Sequence, residues 1–295
     1  MIIAVTGATG SIGRELVPFL YDLGHKVITI SSSKPSDGIT IFSFEDLIKN
    51  QINLDVGCLI HLASYNSTLS NDCVDKEVKL TQDVLNSLKG LKCKKLIFFS
   101  TAKVYGDNSN DLIVYNERSS LNPGCAYSQA KKRCEELIAN HSSLQGLQSI
   151  ILRLPPVLNH THSSNLGKLM QLTKKGIPLI SLYHGNNNNR SFISSNNIET
   201  VIASIIQNPS FKIKNEIYNL ADDGYLSLNH LLQSLGQNNV YSLPKGPSIF
   251  LYRIPFLQNL FLKLFGNFVI DNSKLKAAMN VKLTTTTQSL SIIYK

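Results

Sequence analysis

The 295-residue sequence has no C-x-x-C pair, no zinc-finger ligand spacing and no apolar run long enough to cross a bilayer uninterrupted. Each absence closes a class of function. The five cysteines (Cys58, Cys73, Cys93, Cys125, Cys134) are odd in number and widely spaced. That argues against structural zinc or a disulfide frame and fits free thiols in a reducing cytosol. The most apolar window, Ile249 to Phe265, is interrupted by Arg253, Pro255, Gln258, Asn259 and Lys263. No integral membrane segment is expected, and packing against the same protein explains the window better than an interfacial helix.

Acidic residues are scarce, with Asp+Glu 20 against Lys+Arg 29 and a formal charge of +9. The excess suits an anionic ligand, but it is scattered. The tight basic clusters are Lys92-Cys93-Lys94-Lys95 and Lys131-Lys132-Arg133. Without an RNA-reading aromatic motif or an extended basic arm, no nucleic-acid partner is expected, and a nucleotide-type ligand accounts for the charge. The histidines at 160, 162 and 184 fall in loops without ligand spacing, so no metal is expected. The chain opens directly on a strand pattern, Met1-Ile-Ile-Ala-Val5, with no basic n-region, and the expectation is a cytoplasmic protein without a secretory signal.

Hydrophobic content of 43% with 17% charged residues describes a globular chain. Short apolar runs at Ile2–Thr6, Lys26–Ile30, Ile39–Phe42, Cys58–Leu62, Lys95–Ser100 and Ser149–Leu154 read as strands. Helical spacing recurs over Ser11–Leu23, Glu45–Ile48, Asp72–Lys89 and Ala126–Asn140, with Pro18 expected to kink or loosen the first helix. This alternation predicts an α/β fold with a doubly wound parallel sheet of Rossmann type. After Pro155-Pro156 the character changes. A short helix at 167–175, a turn at Gly176-Ile-Pro178, a polar loop over 186–189, a helix at 198–207, a strand at 216–220 and a helix at 227–235 follow. The division predicted is a dinucleotide-binding domain over 1–154, with segments near 198–220 returning to it, and a smaller substrate lobe formed mainly by 155–295.

Thr6-Gly7-Ala8-Thr9-Gly10-Ser11-Ile12-Gly13 stands between the first strand and the first helix. Glycines at 7, 10 and 13 permit a tight turn and close approach of backbone to a pyrophosphate, which the helix N-terminus then faces with unbonded N–H groups. Further along, Tyr127 and Lys131 share a helix face at i,i+4 spacing. A cation beside a phenol lowers the tyrosine pKa, so the expectation is an acid/base tyrosine tuned downward by Lys131.

The G-x-x-G-x-x-G spacing resembles the extended short-chain dehydrogenase/reductase superfamily, in its NAD-dependent epimerase/dehydratase family of sugar-nucleotide epimerases, dehydratases and reductases. Four segments resemble it in order: His61-Leu-Ala63, Phe99-Ser-Thr-Ala-Lys-Val-Tyr-Gly106, Tyr127-x-x-x-Lys131 and Arg190-Ser-Phe-Ile193. Asp271-Asn-Ser-Lys274 also looks like a recurrent C-terminal segment of these enzymes. The resemblance implies Thr101, Tyr127 and Lys131 as catalytic residues. Thr101 would hydrogen-bond the reacting oxygen, Tyr127 would be the acid/base, and Lys131 would hold the cofactor ribose. For the cofactor it implies Gly7, Thr9, Gly10, Ser11, Ile12, Gly13, Ser31, Lys34, Leu62 and Ala63 beside Tyr127 and Lys131. For the substrate it implies Tyr105 as pocket wall, with Asn165 and Arg190 on the diphosphate. Asn165 reads equally as a helix N-cap, and Arg153 as either an anion contact or a structural ion pair.

The chain departs from the family pattern in places. The second strand ends Thr29-Ile-Ser-Ser-Ser-Lys34 without the acidic residue that favours NAD, so Ser31 and Lys34 leave NAD and NADP both open. Glu77 stands where the family often has Asn, Cys125 where it commonly has Pro, and Asn196 where the lobe motif usually has an acid. Ala102-Lys103 after Thr101 is unlike the acidic pair of the dehydratases. The resemblance thus implies an NAD(P)-dependent enzyme acting at C4 of a UDP-hexose, a 4-epimerase or a 4-keto reductase of surface-polysaccharide synthesis. The alternatives are a dinucleotide-binding sensor and a reductase of non-sugar carbonyls. Family members are often dimers through the two long helices, here 72–89 and 126–140.

Overall fold

The computed structural model describes residues 1–31, 41–49, 52, 54–65, 72–109, 111–159, 180–182, 188–208, 215–234, 241–243 and 266–293. The predicted helix at 167–175, the turn at Gly176-Ile-Pro178, the apolar window 249–265 and the histidines at 160, 162 and 184 lie outside them.

The chain divides into two compact units. The first comprises Met1–Val104, Leu121–Arg153 and Val201–Tyr218, and the second Tyr105–Ser120, Leu154–Thr200 and Asn219–Lys295. The excursion Tyr105–Ser120 belongs to the second unit, although it lies inside the stretch that the sequence reading gave to the dinucleotide domain.

The first unit is built on β1 (Ile2–Thr6), α1 (Gly13–Asp22), β2 (Lys26–Ile30), β3 (Ile41–Phe42), α2 (Phe44–Ile48), β4 (Cys58–His61), α3 (Asp72–Ser87), β5 (Lys95–Thr101), α4 (Ala126–Gln145) and β7 (Gln148–Leu154). Its seven-stranded sheet runs β11-β7-β5-β4-β1-β2-β3, where β11 is Glu216–Asn219. β1 pairs in parallel with both β2 and β4, β2 with β3 and β4 with β5. The strand order reverses about β1, and such a switch point leaves a crevice beyond the carboxyl ends of the strands. The strands are apolar along both faces, as burial under helices on each side requires. Ala4, Ile28, Leu59, Leu96, Phe98 and Ile151 form one buried cluster with Val84, Leu85 and Leu88 of the α3 segment and Ile138 of α4.

Two local features show how the sequence sets element ends. Helix α1 is continuous through Pro18, which lies on its exposed side. Helix α4 runs past the predicted Asn140 to Gln145, because Gly146 is the residue that takes the left-handed cap (φ 66°) and returns its N–H to Ser142.

The second unit contains β6 (Val114–Tyr115), β8 (Val157–Leu158), β9 (Ile180–Leu182), β10 (Ile193–Ser194), α6 (Leu228–Ser234), β12 (Tyr241–Leu243), β13 (Val269–Ile270), α7 (Ser273–Met279) and α8 (Thr286–Ile293). Helix α5 (Ser195–Gln207) begins in this unit and ends in the first. Strand pairs β8/β10, β9/β12 and β6/β13 are parallel. Asp222, 2% exposed, accepts from Ser194 N and from Asn197 Nδ2, and Asn197 Oδ1 accepts from Thr284 N. Asn197 thus ties α5 to the segment before α8. Asp271 Oδ1 accepts from Ser273 N at the start of α7, and Lys276 pairs with Asp223 at 2.8 Å.

Cys58, Cys93, Cys125 and Cys134 are free thiols. Among the described residues, no helix is long and apolar enough to cross a membrane, and no cluster of histidines, cysteines or acids is placed to hold a metal ion.

Candidate active site

The glycine loop follows β1 in the first unit. Gly7 has φ +73°, and a Cβ there would stand 2.6 Å from Ala63 N. A Cβ at Gly13 would stand 2.5 Å from Gly7 O. Gly7 is therefore required by both the turn and the close approach of the loop after β4, while Gly13 lets α1 start against the turn itself. Arg14 Nε donates to Thr9 O at 2.9 Å, and the Thr9 and Ser31 hydroxyls lie 3.2 Å apart. At the N-cap of α1, Ile12 supplies no side-chain cap. An uncapped helix start behind a loop without side chains at 7, 10 and 13 fits the diphosphate of a dinucleotide. Ser11 and Ile12 are half-buried at that start, and Ala63 is buried beside Gly7, with Leu62 N bonded to Thr6 O. Lys34 lies outside the described residues.

Thr101 ends β5, and Tyr127 stands in the first turn of α4. The entry to that helix is held by Ser128, whose Oγ receives the Cys125 N–H at 3.2 Å and returns a bond to Cys125 O. This places the half-buried Tyr127 with its phenol near enough to the Thr101 side chain for that hydroxyl to favour the ionised form. Lys131 follows one turn later and is 2% exposed. Its ammonium lies 6.0 Å from the centre of the Tyr127 ring and 4.7 Å from that of Phe98, and donates to Phe99 O at 3.3 Å. The three residues that the resemblance implies as catalytic are thus brought together.

The electrostatics correct one expectation. Tyr127 was expected to have a lowered pKa, and it is raised. Desolvation around the phenol is the largest cause, and the opposing pull of Lys131 and the Thr101 hydrogen bond do not overcome it; Glu77 and Cys125 push the same way as burial. Lys131 is held above its ordinary value: burial alone would lower it, but Tyr127 and Glu77 outweigh that. Glu77, with no exposed surface, pairs with Lys131 at 2.9 Å. In sequence Glu77 was legible as a departure from the family; its partner was not.

His61 is also buried, and its pKa falls to about 3 through desolvation and the charge of Lys131. It is a neutral imidazole held between Thr6 and Thr81.

Other sequence candidates take different positions. Arg153 makes a buried ion pair with Glu135, Nη2 to Oε2 at 2.6 Å and Nε within 3.2 Å of both oxygens. Of its two sequence readings, the structural ion pair is the one present. Tyr105, expected as pocket wall, is 2% exposed; its hydroxyl donates to Asn219 Oδ1 at 2.7 Å and its ring stacks on Tyr115. The structure gives it to the packing of the second unit. Arg190, in the same unit, exchanges backbone hydrogen bonds with Leu226 and donates through Nε to Gly266 O at 3.1 Å. Desolvation lowers its guanidinium pKa to about 10. Asn165 lies outside the described residues.

A family model described as the NAD dependent epimerase/dehydratase family matches residues 3–221. The UDP-glucose 4-epimerase of Halalkalibacterium halodurans is 24% identical over 264 residues, which is 83% of this chain and 76% of that protein. The dTDP-D-glucose 4,6-dehydratase of Dictyostelium discoideum is 28% identical over 186 residues, 51% of this chain and 42% of that protein. Among solved structures, UDP-N-acetylglucosamine 4-epimerase from Bacillus cereus superposes with a TM-score of 0.78 at 19% identity, covering 100% of this chain and 98% of that one. UDP-glucuronic acid 4-epimerase from Bacillus cereus, in complex with NAD, does so with a TM-score of 0.77 at 20% identity, covering 100% and 96%. At these identities the structural likeness establishes the fold.

Proposed function

Because this chain belongs to the NAD dependent epimerase/dehydratase family, and is therefore an enzyme of that family, we propose that it acts at C4 of a UDP-hexose. The best-supported activity is that of a UDP-glucose or UDP-N-acetylglucosamine 4-epimerase in surface-polysaccharide synthesis. The carrying observation is the convergence of the Thr101 hydroxyl, the Tyr127 phenol and the Lys131 ammonium in the unit that bears the glycine loop. When bound, a nicotinamide dinucleotide supplies the hydride acceptor and donor. Gly7, Thr9, Gly10, Ser11, Ile12 and Gly13 hold its diphosphate, Ser31 meets a ribose, and Leu62 and Ala63 line the approach. Thr101 hydrogen-bonds the sugar oxygen, and Tyr127 exchanges the proton of that oxygen. Lys131 holds the ribose and favours the ionised phenol. Arg190 is matched to the sugar-nucleotide diphosphate, since a partly desolvated guanidinium gains most from a bidentate anion.

One observation favours a second reading, a reductase of a UDP-4-keto-6-deoxy-hexosamine. Tyr127 is held as a protonated phenol, the form that donates. As an epimerase, Tyr127 takes a proton and returns it within one turnover; as a reductase it only gives one. UDP-glucose and UDP-N-acetylglucosamine supplied with and without reduced cofactor separate the two. Interconversion of C4 epimers without net cofactor consumption supports the epimerase. Stoichiometric cofactor oxidation with a 4-keto sugar nucleotide supports the reductase. Failure of every nucleotide sugar to react, with dinucleotide binding intact, overturns both.

A further inference from the structure

Glu77 lies on α3, fully enclosed, and every oxygen of its carboxylate has a donor. Oε1 receives the Lys131 ammonium at 2.9 Å and the Ser64 hydroxyl at 2.9 Å, and Oε2 receives the Tyr65 amide at 2.7 Å. A carboxylate so held could serve only to fasten α3 to α4 and to the chain after β4. Its partner argues for more. The ammonium that it neutralises is the one beside the Tyr127 ring. Among the described residues, the polar and titratable groups facing that ammonium and phenol are few. From β4 comes His61, a neutral imidazole; from β5 come the Thr101 hydroxyl and the Phe99 carbonyl; from α4 and its N-cap come Cys134 and Cys125. The buried acid of α4, Glu135, is committed to Arg153 and to Ser100. Among the described residues, Lys131 and Glu77 are thus the charges set against Tyr127, of opposite sign and in mutual contact. A paired ammonium acts on a phenol 6.0 Å away far less than an isolated one would.

Resting on the assignment of Tyr127 as the acid/base, we propose that Glu77 is a positioning residue that offsets part of the charge of Lys131 and so, together with burial, holds Tyr127 as a phenol, the proton-donating form. Within the pair Lys131 favours tyrosinate and Glu77 takes back part of that pull, so the carboxylate is the brake on tyrosinate formation. It favours the step in which a proton is given to a sugar oxygen and places the step in which one is taken at higher pH. The same carboxylate fixes Ser64 and Tyr65, so the chain beside the glycine loop is held by the group that sets the tyrosine.

The test is an ultraviolet titration of tyrosinate in the intact protein, reading the signal lost in Tyr127→Phe and repeating the pair in a Glu77→Gln background. With the carboxylate neutralised, the Tyr127-dependent signal appears at a pH lower by about one unit or more. Glu77→Asp, which keeps the charge, returns the midpoint toward that of the parent protein. An unchanged midpoint in Glu77→Gln, or identical behaviour of Gln and Asp variants, overturns the proposal and leaves Glu77 structural. If Glu77→Gln does not fold, Glu77→Asn provides the neutral variant, with the same two outcomes. The titration needs no turnover. A shifted midpoint in a protein that converts no nucleotide sugar therefore sinks the substrate assignment and leaves the role of Glu77 standing.

Discussion

Thr6 Oγ1 and His61 Nδ1 are 2.7 Å apart at paired positions of β1 and β4, and their hydrogen bond ties the two strand ends. Ala63 N–H donates to Thr6 Oγ1 at 3.2 Å, and Thr81, which gives its own proton to Cys134, must accept from the imidazole, so the neutral ring carries its proton on Nε2 and Nδ1 accepts from Thr6. The imidazole Nε2–H then donates to Thr81 Oγ1 at 3.3 Å, and the Thr81 hydroxyl to Cys134 Sγ at 3.2 Å. A directed chain of donors runs from the loop beside Gly7 through the sheet to α4.

That chain requires an uncharged His61, and acid should break it. The folded pKa of about 3 lies below the ordinary 6.5, so between those values the unfolded chain binds a proton that the native protein refuses. The contribution to stability is complete above about pH 6.5 and is lost as pH falls toward 3, amounting to roughly 5 kcal/mol at most. Urea unfolding at a series of pH values should show this slope, and His61→Gln should flatten it.

Tyr127→Phe should cut turnover by ~10²–10⁴ while leaving dinucleotide binding in place. Thr101→Val should cost about 10²-fold, as expected of one lost donor to a developing oxyanion. Steady-state rates with cofactor titrated by fluorescence check both; full activity of the phenylalanine variant rules out the site.

Arg153→Met should destabilise the protein by ~3–5 kcal/mol, because Glu135 is left buried and charged without its partner. Replacing both members by apolar residues of similar size should restore much of that loss. Denaturant midpoints measure it. Weakened nucleotide affinity in a fully stable Arg153→Met would instead return Arg153 to the ligand.

Gly7→Ala should abolish dinucleotide binding and lower stability by about 1–3 kcal/mol, since the new Cβ meets Ala63 backbone at 2.6 Å in a left-handed conformation. Gly146→Ala shares the positive φ but meets nothing within 4 Å. It should cost about 1–2 kcal/mol and leave binding unchanged. Calorimetric titration with the dinucleotide separates the two glycines.

Local chemistry was legible in the sequence and distant pairing was not. β1 and β2 fall where their apolar runs put them, and the Tyr127–Lys131 spacing announces one helix face. The upward sign of the Tyr127 shift comes first from burial and is reinforced by Glu77, which comes from another helix, and no periodicity announces either. Arg153 offered two readings because its partner, 18 positions earlier, is chosen by the packing of α4 on the sheet. The end of α4 was misjudged by five residues because apolar spacing fades before the chain meets a residue able to stop it, Gly146. Assignment of 105–120 to the first unit failed for a similar reason: its contacts are with residues such as Asn219 and Asn267, far along the chain.

Strand β11 occupies one end of the seven-stranded sheet, yet it is encoded after the whole 154–200 stretch of the second unit. On a ribosome, β7 therefore waits with an unpaired flank while that stretch is being made. An exposed row of N–H and C=O groups invites a strand from a neighbouring nascent chain. The timing of synthesis, more than the strength of any contact, decides when the dinucleotide-binding unit becomes safe from such pairing. Slowed translation between residues 154 and 216 should raise the fraction of chains lost to aggregation.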